Sequence, residues 1–546
     1  MKLEASLLPD EHVPGNFGSL SARGTYNPMR FVLALRPDVL ESLSSIDGDA
    51  SLRAGVDGEA VEAFSTYFHE TIHWWQHIGS TTGLMLSLSY PAQSHCSLDE
   101  LRQVLAAIGP KKSLLQWNFI NAVEAEAESQ LHHQVNTVLN NWHDLRFFRQ
   151  LIIDPRTVQS AVDNQYFESS GHAYYIAYAH VCSLLADTLE SEKFGSSSPQ
   201  YFSTTVRELK EAGIAGYAYG TQESVTRIGA RQIMEGQACL SQLQYLTAAS
   251  NGKVTLRQFA DAGMLHGVYL EALAGFLAVL EENTPDSAFD PLIGLFLLLC
   301  DISINPYEGF PLQVSDPEGF RRNIDPGFRF LMCCQAAAKI KPQLLGAVEA
   351  CDADAYFNAS ALICRELNWP TPRDGLNRIV ALSTESDAGR ALLEEAHNFR
   401  FQPKNLPVRL LLARYLVFCD DKLREPHFFC WPGYWSSLHN GSEESAEKFT
   451  RIFVEHESLF RLKPDGAVYP RLFPNKDQSA LSTAFNAFYS FSMLYEVIDE
   501  WVMLEGDWEH DVSWVSALHD RTEVIDAVDR LFQGQFGVRL AEFEVL

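Results

Sequence analysis

Apolar residues recur three and four positions apart along much of this chain. The spacing predicts helices at Gly58 to Ile78, Leu114 to Val135, His172 to Glu190, Thr221 to Leu246 and Leu265 to Glu282. Strand-like alternation is scarce, and its clearest instance is Arg30 to Leu35 in "NPMRFVLALRPD", with a proline on either side. Turn formers gather in "KFGSSSPQYFS", "ENTPDSAFDP", "INPYEGFPLQVSDPEGFRRNIDPG" and "NWPTPRDG". The pattern therefore predicts a mainly α protein, α+β only in carrying a small N-terminal sheet. The long connection that begins at Ile304 is the expected boundary between residues 1–305 and a helical C-terminal region, 306–546. The most apolar run, Pro291 to Cys300, is about half the ~20 residues that cross a bilayer and is closed by Asp301, so it reads as a buried helix and no membrane span is expected.

Composition narrows the function. A formal net charge of -28 argues against nucleic-acid binding, which draws its affinity from clustered Lys and Arg. The ten cysteines include no C-x-x-C pair, which suits reduced, buried thiols better than a disulfide framework. The start of the chain, "MKLEASLLPDEHVPGNF", carries acidic residues and no apolar core of signal-peptide length, so the expected location is cytoplasmic.

One stretch carries chemistry. In "FSTYFHETIHWWQHIGSTTGL", His69-Glu70-Thr71-Ile72-His73 is an H-E-x-x-H motif. Residues four apart share a helix face, so His69 and His73 can present nitrogens to one zinc ion while Glu70 lies beside the water. The metal lowers that water's pKa and polarises a carbonyl, and the carboxylate takes the proton. With 17 histidines in the chain, the chance expectation of such a match is on the order of a few hundredths. The uncharged neighbours Phe68, Thr71, Ile72, Trp74 and Trp75 place the motif on a core helix rather than a solvated one. His77 falls roughly 12 Å along the helix from His69, too far to share its ion, and reads as a packing or supporting residue.

These residues resemble the zincin metallopeptidases, in particular their gluzincin branch. That resemblance implies a zincin-like metal helix within the helical body, a peptide or protein substrate and a third ligand, a glutamate, from a second helix. The metzincin branch would require Gly and His where this chain has Gln76 and Gly79.

Two helices compete to supply the carboxylate. Glu235, in "RIGARQIMEGQACLSQL", shares a face with Ile228, Ala238 and Cys239, and an acid on an apolar stripe needs a partner that a metal would supply. Gly236 and Ala238 leave room there for a close helix neighbour. Glu124, Glu126 and Glu128 alternate along "LLQWNFINAVEAEAESQLHHQV", as acids on a solvated face do. Glu235 is preferred, and its setting, Glu235-Gly236-Gln237-Ala238, resembles the E-G-x-A context common among gluzincin-like families. Tyr217, Tyr219 and Arg231 are the sequence neighbours from which a transition-state stabiliser would be sought.

Two other classes compete. Glu70-x-x-His73 and Glu394-x-x-His397 together form the paired E-x-x-H signature of di-iron carboxylate oxidases. A non-catalytic metal-binding scaffold could instead use the aromatic run "HFFCWPGYWSSLHNG", residues 427–441, as a partner surface. The expectation is a zinc metallopeptidase in which His69, His73 and Glu235 hold Zn2+ and Glu70 is the general base, with a C-terminal body that restricts access or recruits a regulatory protein.

Overall fold

A computed structural model describes residues 23–27, 31–44, 58–121, 130–190, 199–218, 221, 225–436, 443–462, 468–471, 476–510 and 520–546. Helices dominate it, as the periodicity predicts. The sheet is small and mixed. Strands Gly24–Asn27 and Val32–Leu35 pair antiparallel at the N-terminal side. Strand Phe460–Leu462 then runs parallel to Val32–Leu35, and Val468–Pro470 pairs antiparallel with Phe460–Leu462. A second, two-stranded pairing joins Lys111–Lys112 to Glu544–Val545.

Helix Gly58–Gly79 is buried without interruption from Ala63 to Gly79. Its uniform burial follows from neighbours on every side: helices Pro37–Ser44, Thr81–His95, Ala230–Ala249 and Leu406–Arg424, and the N-terminal hairpin. Ser80 ends it by capping the next helix, its hydroxyl accepting from the Gly83 amide at 3.0 Å. Trp75 shows how the later half of the chain closes over this helix. Its indole nitrogen donates to the His456 carbonyl at 2.8 Å, and its ring meets Phe418, Phe428, Phe429 and Phe453.

Two apolar clusters organise the core. One runs from Tyr26 to Phe543 and encloses helix Gly58–Gly79. The other runs from Ala230 to Trp431, so each contains residues from both sides of residue 305. Helix Ala230–Ala249 is the seam: Ala238 and Tyr245 face the first cluster, while Ile233, Met234, Cys239, Leu240 and Leu243 face the second.

Several boundaries differ from the expectation. The segment Leu114 to Val135 contains helix Leu114–Asn121 and the start of helix Gln130–Ile153, and residues 122–129 lie outside the described residues. The helix expected from Thr221 begins at Ala230, where the Gly229 amide donates to the Gln232 side chain at 2.8 Å and sets the first turn. The apolar run from Pro291 continues as helix to Ile304, straight through Asp301. That acid is tolerated inside because Lys422 Nζ and the Tyr356 hydroxyl donate to it at 2.5 and 2.7 Å. No helix among the described residues is long and apolar enough to cross a membrane.

Candidate metal centre

Helix periodicity puts His69 above His73 on one face of helix Gly58–Gly79, with ring centroids 4.8 Å apart. Helix Ala230–Ala249 crosses that face and delivers Glu235, which is fully buried. The three functional groups close a triangle. His73 Nε2 lies 3.1 Å from His69 Nε2, and Glu235 Oε2 lies 3.5 Å from His69 Nε2 and 3.3 Å from His73 Nε2. Two atoms each bonded at 2.0–2.1 Å to a tetrahedral zinc stand roughly 3.3 Å apart, so the triangle has the edges of such a coordination shell. Among the described residues, this is the group of His, Cys, Asp and Glu side chains brought close enough to hold a metal ion.

The polar accounting fits a cation. Neither carboxylate oxygen of Glu235 has a hydrogen-bond partner, nor does His69 Nδ1 or Glu70 Oε2. Buried polar atoms left in that state are costly unless something else satisfies them. Electrostatics agree. Burial would depress His73, but the Glu235 carboxylate outweighs it and pushes the imidazole up to about 9. Burial would raise Glu235, yet the charge on His73 and the interactions with both imidazoles hold its carboxyl well below the ordinary range. Burial holds His69 below its usual value. The cluster thus draws in a proton where it lacks positive charge.

Glu70 sits on the same helix, 5 % exposed, and burial pushes its carboxyl up to about 8. Strand Gly24–Asn27 lies against it. A methyl group at Gly24 would fall 2.7 Å from Glu70 Cγ and 2.9 Å from Oε1, so only glycine leaves this carboxylate its place.

The other sequence candidates separate cleanly. His77 is in the core against Tyr26, ring centroids 5.5 Å apart, where burial pushes it down to about 3; it is not part of the triangle. Glu124, Glu126, Glu128 and Tyr219 lie outside the described residues. The Tyr217 hydroxyl donates to the Pro317 carbonyl at 3.2 Å, away from the triangle. Arg231 lies one turn before Glu235 on helix Ala230–Ala249, half-buried, and is not part of the triangle. Glu394 and His397 are exposed on helix Asp387–Asn398 and do not join the triangle. Residues His427 to Trp431 of the aromatic run are buried, with the Trp431 indole donating to the Gly294 carbonyl at 2.8 Å, and 437–441 lie outside the described residues. Gly236 makes its close approach to Phe296, whose Cζ a Cβ would meet at 3.2 Å, rather than to the histidine helix.

Two residues escaped sequence reasoning. The Tyr269 ring stands edge-on to His69, centroids 5.9 Å apart, brought there by helix Val268–Leu280 packing on helix Ala230–Ala249. Gln76 contacts His73 directly. No family model matches this chain, and neither a curated protein nor a solved structure matches it.

Proposed function

We propose that this protein is a zinc-dependent peptidase. One observation carries the reading: two imidazoles and a carboxylate from crossing helices close a buried triangle with edges of 3.1 to 3.5 Å, and the glutamate next in sequence to one of them is on the same helix. His69 Nε2, His73 Nε2 and Glu235 would hold the ion, which when bound lowers the pKa of water and polarises the substrate carbonyl. Glu70 accepts the water's proton on its carboxylate and passes it to the leaving amine. Gly24 keeps that carboxylate in position by offering no side chain against it. We assign Tyr269, which borders His69, to the oxygen of the substrate carbonyl, where a hydroxyl donor stabilises developing charge. The substrate is a peptide or protein, and a regulatory protein would control access to the buried site. All ten cysteines are free thiols, which supports a reducing, cytoplasmic setting.

The test pairs elemental analysis with peptide hydrolysis. Wild type should carry about one zinc ion per chain, and Glu70→Gln should retain that zinc while losing about 100- to 10,000-fold in turnover. Wild-type protein that takes up no metal, or a Glu70→Gln variant that hydrolyses normally, would remove the reading; iron in place of zinc would point to the oxygen chemistry of two-histidine, one-carboxylate sites.

A further inference from the structure

We infer that Gln76 is the positioning residue of the metal centre: it fixes which nitrogen of His73 faces the ion, and it ties the helix that carries the histidines to the helix that carries Glu235. The inference rests on the metal-site reading above and adds a residue to it.

The argument is one of donors and acceptors. Gln76 is 4 % exposed, and its amide nitrogen donates to the Met234 carbonyl at 2.8 Å and to Gln237 Oε1 at 2.9 Å. A backbone carbonyl can only accept, so the nitrogen end of the Gln76 amide is committed to Met234. The oxygen end must then face His73, where Oε1 lies 2.8 Å from Nδ1. An amide oxygen also only accepts, so His73 Nδ1 carries a hydrogen. Nε2 is thereby the ligating nitrogen, and it is the atom that faces His69 Nε2 and Glu235 Oε2 at 3.1 and 3.3 Å. Hydrogen bonds of this kind to the remote nitrogen orient an imidazole and raise its basicity toward a metal.

The same side chain bridges the two elements that must meet. Its acceptors, Met234 and Gln237, flank Glu235 on helix Ala230–Ala249. A single amide therefore holds one histidine ligand in orientation and sets its distance from the carboxylate ligand.

Three variants test this against wild type. Zinc affinity is measured by chelator competition, and the His73 Nδ1 proton is followed by NMR of zinc-loaded, 15N-histidine-labelled protein. Gln76→Leu should bind zinc roughly 10- to 100-fold more weakly and lose the protected Nδ1 proton signal. Gln76→Glu restores the acceptor but not the donor to Met234 and Gln237, so the Nδ1 proton should reappear while the affinity returns only in part. Gln237→Leu leaves the bonds to His73 and Met234 in place, should cost less than about 10-fold, and keeps the test open if Gln76→Leu does not fold. A general packing role would give no recovery in Gln76→Glu. Zinc affinity and an Nδ1 proton unchanged in Gln76→Leu would overturn the inference while leaving the metal site standing; no zinc in wild type would overturn both.

Discussion

Two buried carboxylates on neighbouring helices live in opposite circumstances. Asp301 is 3 % exposed, and both of its oxygens are used, one by Lys422 and the other by the Tyr356 hydroxyl. Glu235 is entirely buried, and neither oxygen has a hydrogen-bond partner. The first is a closed circuit whose charge is neutralised by the protein itself. The second meets two imidazoles that compete for the same positive charge. Burial alone therefore does not mark a functional acid; what distinguishes Glu235 is an unmet demand that the surrounding chain has not been built to fill.

Breaking the closed circuit should cost most. Asp301→Ala leaves Lys422 in the core without a partner and should lower unfolding free energy by about 3–5 kcal/mol in denaturant titrations, with metal content per folded chain unchanged. The open site should respond to what is added rather than removed. Zinc at about a thousand times its dissociation constant should stabilise wild type by about 4 kcal/mol, and stabilise Glu235→Gln far less. Without metal, Glu235→Gln should be less stable than wild type at neutral pH, because it removes the carboxylate that holds His73 protonated, and the difference should shrink as pH rises through about 9. Equal stability of the two proteins across that pH range would mean that Glu235 and His73 share no charge. Gly24→Ala sharpens the contrast within the site: it should displace Glu70 and reduce hydrolysis by up to about 100-fold while zinc content stays at wild-type level. Smallest of all, His397→Ala at an exposed position should change stability by no more than about 0.5 kcal/mol and leave metal content untouched; loss of metal would return the second E-x-x-H pair to consideration.

The sequence made the local part of this site readable. Four-residue spacing aligns His69 with His73 whatever the rest of the chain does, and the uncharged residues between them announce the burial. Glu235 was legible in part, because an acid on an apolar stripe demands a partner, although nothing in its own helix names His73 as that partner. Gln76 was not legible at all. It stood out only as the residue that breaks the metzincin pattern, since its role depends on a carbonyl and an amide that arrive on another helix. Tyr269 was missed for the same reason. The sheet shows a similar limit: Arg30 to Leu35 reads as a strand and Val32–Leu35 forms one, but its parallel neighbour at Phe460–Leu462 is a tertiary event with no local trace. The helix through Asp301 ran on because of Lys422, again a partner remote in sequence.

That sheet also imposes an order on synthesis. The hairpin that seats Glu70 receives its next strand only from Phe460–Leu462, and that strand is paired in turn by Val468–Pro470. During translation the two histidines and Glu235 emerge long before those residues do. The strand beside Glu70, Gly24–Asn27, has its partner Val32–Leu35 from the start, but the far edge of that hairpin stays open until Phe460–Leu462 has left the ribosome.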